Sequence, residues 1–196
     1  MKHCLIFIFI LSLETACAQH FTVGVNANLL FWKGNFPENK GQVDLPDWQY
    51  QEENVLLINY QATFGFYYPV LKLADGRFTV GPCLNVAMGY LVNNEIAING
   101  ALTIDFPEYA MIRYGAGSAK DEDEGFGAGI GIGYTREWMP IPLGAPAACA
   151  EFFYNNVSLR IGTDLANRHL YAYYSSEGLI PELTYHELII LFSFRM

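Results

Sequence analysis

Charge is what this sequence has least of. Lys, Arg, Asp and Glu make up 16% of the 196 residues, against about 25% in a typical soluble domain. Positive charge is scarcer still, since 11 Lys and Arg face 20 Asp and Glu, a formal net charge of −9. That balance excludes a nucleic-acid partner, whose phosphates are held by Lys and Arg. Cysteine is also rare: of 4 in the chain, Cys4 and Cys17 fall in the first 18 residues. Cys83 and Cys149 remain, and two thiols do not make a disulfide scaffold. Finally, 52% of residues are apolar, yet no run beyond the N-terminus approaches the ~20 residues of a membrane helix. So apolar a chain without helical spans must bury its surface in strands or against hydrocarbon.

The N-terminus reads as an export signal. Met1, Lys2 and His3 form a basic start, Cys4 to Leu13 an apolar run, and Ala16-Cys17-Ala18 a small-x-small cleavage pattern with Gln19 next. This divides the chain into a signal peptide, 1–18, and a single domain, 19–196. Lipidation of Cys17 is the competing reading, because Ala16 suits the position before a lipidated cysteine. Removal of Lys2 and Glu14 cancels, so the mature chain keeps its acidic balance.

What is present in quantity is alternation with a period of two, the mark of strands. Phe21, Val23, Val25, Ala27, Leu29 and Phe31 oppose Thr22, Gly24, Asn26 and Asn28. Similar runs cover 56–68, 78–92 and 126–135, and shorter ones 106–116, 147–154, 157–165 and 184–194. The eighth run places Ile189 and Leu191 on the polar side, like a strand buried on both faces. These eight segments predict an all-β, eight-stranded antiparallel up-and-down barrel of the transmembrane type. Long connections at 33–54, 93–104 and 167–182 alternate with tighter turns near Ala74-Asp75-Gly76, 118–124 and Asn155-Asn156. The proline-rich 139–146 reads as a further loop, and Pro82, inside the third strand, calls for a bulge because it has no N–H to give.

The composition of the two faces points to lipid. One face is Val, Ile, Leu, Phe and Tyr, and the other is Gly, Asn, Gln, Thr and Ala, small and neutral enough for a narrow lumen. Trp32, Tyr67, Tyr68, Tyr90, Tyr114, Trp138, Tyr154 and Tyr185 are candidates for interfacial girdles. In this pattern the chain resembles the small eight-stranded outer-membrane β-barrel proteins of Gram-negative bacteria. Leu188, Ile190, Phe192 and Phe194 are similar to the alternating end by which such proteins are recognised for assembly, although Arg195 and Met196 follow where the family commonly ends on an aromatic. The resemblance implies an outer-membrane location, lipid as the surrounding partner, and a structural or surface-interaction role with acidic outside loops. It does not name the surface partner. A secreted soluble ligand-binding barrel and an outer-membrane acyl hydrolase stay open as alternatives.

Motifs for chemistry are weak. Glycine recurs at every second position from Gly125 to Gly133, whereas a dinucleotide fingerprint needs two residues between its second and third glycines and a helix after them. Asp121-Glu122-Asp123-Glu124 lacks the spacing of a calcium loop. His169, Ser175, Ser176 and Glu177, with His186 and Glu187, supply residue types for hydrolysis but no geometry. No cofactor, metal or catalytic set is assigned. The Asn155-Asn156 turn instead pairs Glu151 with Arg160 inside the barrel, beside Cys149 opposite Gly162, and a slip by one residue would undo that sorting. Arg113 and Asp164 are candidates for the same polar network. Cys83 and Cys149, three strands apart, fall about 15 Å from each other in a barrel of this size, too far for a disulfide.

Overall fold

The structure, a computed structural model, describes residues 20–37, 50–92, 101–118, 125–138, 142–170, 173–175, 178–180 and 183–196. The proposed signal peptide, Cys17 and the acidic run 121–124 lie outside the described residues. The strands are β1 (His20–Pro37), β2 (Tyr50–Tyr67), β3 (Leu71–Leu73), β4 (Phe78–Val92), β5 (Ala101–Gly115) and β6 (Phe126–Trp138). They continue with β7 (Pro142–Tyr154), β8 (Val157–Asp164), β9 (Arg168–Leu170), β10 (Tyr173–Ser175), β11 (Gly178–Ile180) and β12 (Leu183–Arg195). Each long strand pairs antiparallel with the next, and β1 pairs with β12 from Thr22↔Arg195 to Gly34↔Leu183. The sheet is therefore closed, an eight-stranded meander barrel extended by β3 and β9, with β10 and β11 as a separate hairpin. Closure gives each long strand a neighbour on both sides along the barrel wall.

Several boundaries differ from the sequence reading. The first hairpin is longer, because β1 and β2 stay in register out to Pro37↔Tyr50. β5 starts at Ala101, well before Phe106, and β7 takes in Pro142 and Pro146 of the expected proline loop. Proline is tolerated there because β8 stops at Asp164, opposite Ala147, so most of that stretch has no strand to donate to on that side. Pro82 needs no bulge in its own strand: β4 and β5 run continuously through Pro82↔Ala110. Its carbonyl accepts from Tyr68 N–H at 3.0 Å just where β2 ends, and the missing donor falls at that frayed edge.

Parity along each strand sorts the side chains. Outside lie Val25, Tyr60, Phe64, Ile130, Ile132 and Phe192, among many others, with Phe64 64% and Ile132 68% exposed. Inside lie Asn28, Asn59, Thr103, Arg113 and Glu151, each at most 1% exposed. Parity also corrects the girdle. Tyr90, Tyr114, Trp138 and Tyr154 are exposed on the outer face, whereas Trp32, Tyr67 and Tyr185 point inward and are buried. Ile189 and Leu191 do face the lumen, joined by Leu30, Leu57 and Leu91.

The end of the barrel that carries the short turns is closed by its own chain. After Gly115 (φ +74) the backbone folds under the barrel, and Ala116 and Ser118 are buried. Thr79 Oγ1 donates to the Ser118 carbonyl at 2.8 Å, and Ser118 Oγ donates to the Gly76 carbonyl at 2.7 Å. Tyr67 O–H reaches Thr79 Oγ1 at 2.8 Å, and the Arg113 guanidinium stacks 3.8 Å from the Tyr67 ring centre.

Candidate functional site

Among the described residues the lumen gathers buried charge in two separate clusters. The lower cluster forms because the Asn155-Asn156 turn, with Asn155 at φ 51, sets Glu151 directly opposite Arg160. Glu151 Oε1 accepts from Arg160 Nη2 at 2.8 Å, and Oε2 accepts from Arg113 Nη2 at 2.7 Å and Nε at 3.0 Å. One carboxylate thus sits between two guanidiniums, all three buried. Arg160 Nη2 also donates to Cys83 Sγ at 3.1 Å. Room for Arg113 and Met111 comes from the glycine stripe: a Cβ on Gly131 would stand 2.2 Å from Met111 Sδ, and one on Gly129 3.0 Å from Arg113 Cγ.

Asp164 does not belong to this network. It lies nearer the long-loop end, where Arg168 collects the carboxylates of Asp164, Glu137 and Glu187. Arg168 Nη1 donates to Glu137 Oε2 at 3.1 Å, and Nη2 to Asp164 Oδ1 at 3.0 Å and Thr135 Oγ1 at 2.6 Å. Tyr185 O–H donates to Glu137 Oε2 at 2.9 Å. Beside them Asp105 Oδ2 accepts from Asn28 Nδ2 at 2.9 Å and from Gln61 Nε2. Asn59 and Gln61 share Thr103 Oγ1 with bonds of 2.8 and 3.0 Å.

Arg168 and Glu137 were not singled out by the sequence reading. Arg168 arrives through a local widening of the ladder. β12 pairs Leu188 with Thr163 but Tyr185 with Arg168, so three steps on one strand answer five on the other. Two extra residues keep the parity, and Arg168 points inward like Asp164.

The two thiols are free and buried, Cys83 against Arg160 and Cys149 against Met111 Sδ at 3.4 Å. Their side chains belong to one interior cluster with Tyr67, Tyr109, Met111 and Ala147. The residue types named for hydrolysis do not assemble among the described residues. His169 is exposed on β9, while His186 points the other way from Glu187 and bonds Thr163 Oγ1 at 2.9 Å. Ser176 and Glu177 lie outside the described residues, as does the side chain of Ser175. Also among the described residues, no three His, Cys, Asp or Glu side chains are placed to hold a metal ion.

Among the described residues the outer face of the barrel is largely apolar and carries one exposed ion pair. Glu108 and Arg136 approach within 3.6 Å on the outer face, in a groove lined by Phe106, Tyr134, Trp138, Leu143 and Gly144.

No protein-family model matches the chain, and no curated protein matches it in sequence. Among solved structures it is similar to the outer membrane protein OprG from Pseudomonas aeruginosa. The identity is 11%, the match covers 92% of this chain and 97% of that one, and the TM-score is 0.44. It is more distantly similar to Ail, the attachment invasion locus protein of Yersinia pestis, at 6% identity, 92% and 99% coverage and a TM-score of 0.20. The architecture itself, read from strand pairing, is the closed eight-stranded antiparallel barrel that the sequence predicts.

Proposed function

We propose that the chain is a non-enzymatic outer-membrane barrel, spanning the bilayer with its eight long strands and serving a structural or surface-interaction role through its long loops. The observation that carries this reading is the inversion of the two faces. Water-soluble barrels bury their apolar face, yet here residues such as Val25, Phe64, Ile130 and Ile132 are more than 60% exposed while Arg113 and Glu151 are sealed inside. Exposed apolar patches on soluble monomers rarely exceed a few hundred Å², whereas this one runs over all eight long strands. Hydrocarbon is the solvent that suits it, and a closed barrel is the β-structure that lipid tolerates.

A packed lumen argues against a general porin. Eight strands leave an interior just wide enough for side chains to fill, and here both the turn at 115–118 and the ion-pair clusters occupy it. The long loops would then face outward and the N- and C-terminal strand ends inward, as in barrels whose outer loops are the longer set.

Fractionation followed by gel electrophoresis of unheated and heated samples tests the reading. The expected result is recovery in the outer-membrane fraction and a band whose mobility shifts on heating. Recovery as a freely soluble species with one mobility would overturn it.

A further inference from the structure

The upper half of the lumen is out of electrostatic balance. Asp105 of β5, Glu137 of β6, Asp164 of β8 and Glu187 of β12 contribute four carboxyls, against the single guanidinium of Arg168 on β9. All five side chains are at least 97% buried by relative exposure. Among the described residues β1, β2, β4 and β7 present only neutral groups at this level, such as Asn28, Gln61, Leu91 and Ala145. With every group ionised, three negative charges are unmatched.

A second observation falls at the same place. Among the described residues no donor reaches Oδ1 of Asp105, Oε1 of Glu137 or Oε1 of Glu187, three oxygens from three strands. A neutral neighbour shows the same: Asn26 gives its Nδ2 to Asn28 Oδ1 at 3.1 Å and leaves its own Oδ1 without a donor, although the residue is 96% buried by relative exposure. The lower cluster provides the contrast, since both Glu151 oxygens are fully engaged by Arg113 and Arg160. Buried anionic oxygens without donors are expensive, and the usual relief is a positive charge taken from solution.

We propose that this buried acidic cluster, Asp105, Glu137 and Glu187 beside the one guanidinium of Arg168, is a proton-binding site whose occupancy stabilises the folded barrel. Arg168 engages Glu137 Oε2 and the Glu187 carboxylate and leaves Oε1 of each, with Asp105 Oδ1, without a donor among the described residues. A chelated metal ion is disfavoured, because no three acidic, His or Cys side chains among the described residues are placed to hold one.

The site rests on the transmembrane reading, so its test is run on the barrel folded into phosphatidylcholine vesicles, with the heat-dependent gel shift as the check on insertion. Urea unfolding is followed across about pH 5 to 9, with a parallel series in sodium chloride against N-methylglucamine chloride at equal ionic strength as the check against a metal ion. A ligand held only by the folded state changes the unfolding constant by up to about tenfold per tenfold change in its concentration. Wild-type protein is expected to show such a slope in pH, stability falling as pH rises, and no dependence on sodium. Asp105→Asn keeps the acceptor for Asn28 and Gln61 and turns the orphan oxygen into a donor, so it should flatten that slope; Glu187→Gln is the second variant should the first not fold. A wild-type pH slope of zero, stability that follows sodium instead, or pH slopes in both variants equal to wild type, would overturn the site while leaving the barrel intact. Absence of the gel shift in wild type would overturn the transmembrane reading and the site with it.

Discussion

Removing the Glu151 carboxylate should be among the most damaging single changes this barrel can suffer. The structure gives the reason: three N–H donors from two guanidiniums end on it at 2.7, 2.8 and 3.0 Å, and all three residues are at most 3% exposed. Breaking a buried ion pair by deleting one partner costs about 3–5 kcal/mol, because the other charge is left without compensation. Glu151→Ala leaves two such charges, so the upper end, about 5 kcal/mol, is expected, a large part of the ~5–15 kcal/mol that stabilises a domain. Arg160→Ala leaves Glu151 with Arg113 and should cost less. The double variant should be less damaging than the sum of the singles, with a coupling of about 0.5–3 kcal/mol. Urea titrations of vesicle-embedded protein, read by the heat-shifted gel band, measure all corners of the cycle. Glu151→Gln, which keeps one acceptor without the charge, serves if the alanine variant does not insert. A cost below about 1 kcal/mol for Glu151→Ala, the range of a solvated surface pair, or strict additivity with Arg160→Ala, would refute the argument.

Cys83 and Cys149 should resist alkylation in the folded barrel and react after denaturation, and a non-reducing digest should contain no peptide linking them; a linked peptide contradicts their placement as free thiols. Gly131→Val should destabilise by about 1–3 kcal/mol through overpacking, since its Cβ would lie 2.2 Å from Met111 Sδ and 3.1 Å from Cys149 Sγ; pairing it with Met111→Ala should recover part of the loss, and no recovery would point to another cause. Brominated lipid should quench Trp138, which is 57% exposed on the outer face, but not Trp32, which is 2% exposed inside. Trp138→Phe should therefore remove more of the quenching than Trp32→Phe, and the reverse order would mean that the two faces are exchanged.

What the sequence made legible was whatever obeys a period of two. The strands over 78–92 and 126–135, the Glu151–Arg160 register and the inward Ile189 and Leu191 all follow from counting residues along an unbroken alternation. Illegible were the places where alternation is masked or interrupted. Leu29-Leu30-Phe31-Trp32 and Leu56-Leu57-Ile58 are apolar on both faces, so they gave no hint that Leu30, Trp32 and Leu57 cap the lumen from within. At Leu165-Ala166-Asn167 the pattern stops, and a reader counting in twos ends the strand there. The chain instead spends two extra residues in a widened ladder and returns to the same parity at Arg168. That interruption hid the counter-ion around which the upper cluster is built. Counting in twos makes Asp164 the last inward residue before the break and draws it toward Arg113 and Arg160, the inward cations that unbroken alternation reveals. With Arg168 shared among three carboxylates and Glu151 already holding two arginines, the positive charge within the lumen is unevenly spread. The lower half has a guanidinium to spare while the upper half lacks three, and backbone closure with a packed interior prevents the side chains from redistributing. Local geometry, set by one widened stretch of ladder and one two-residue turn, thus fixes an axial separation of charge that composition alone would never reveal.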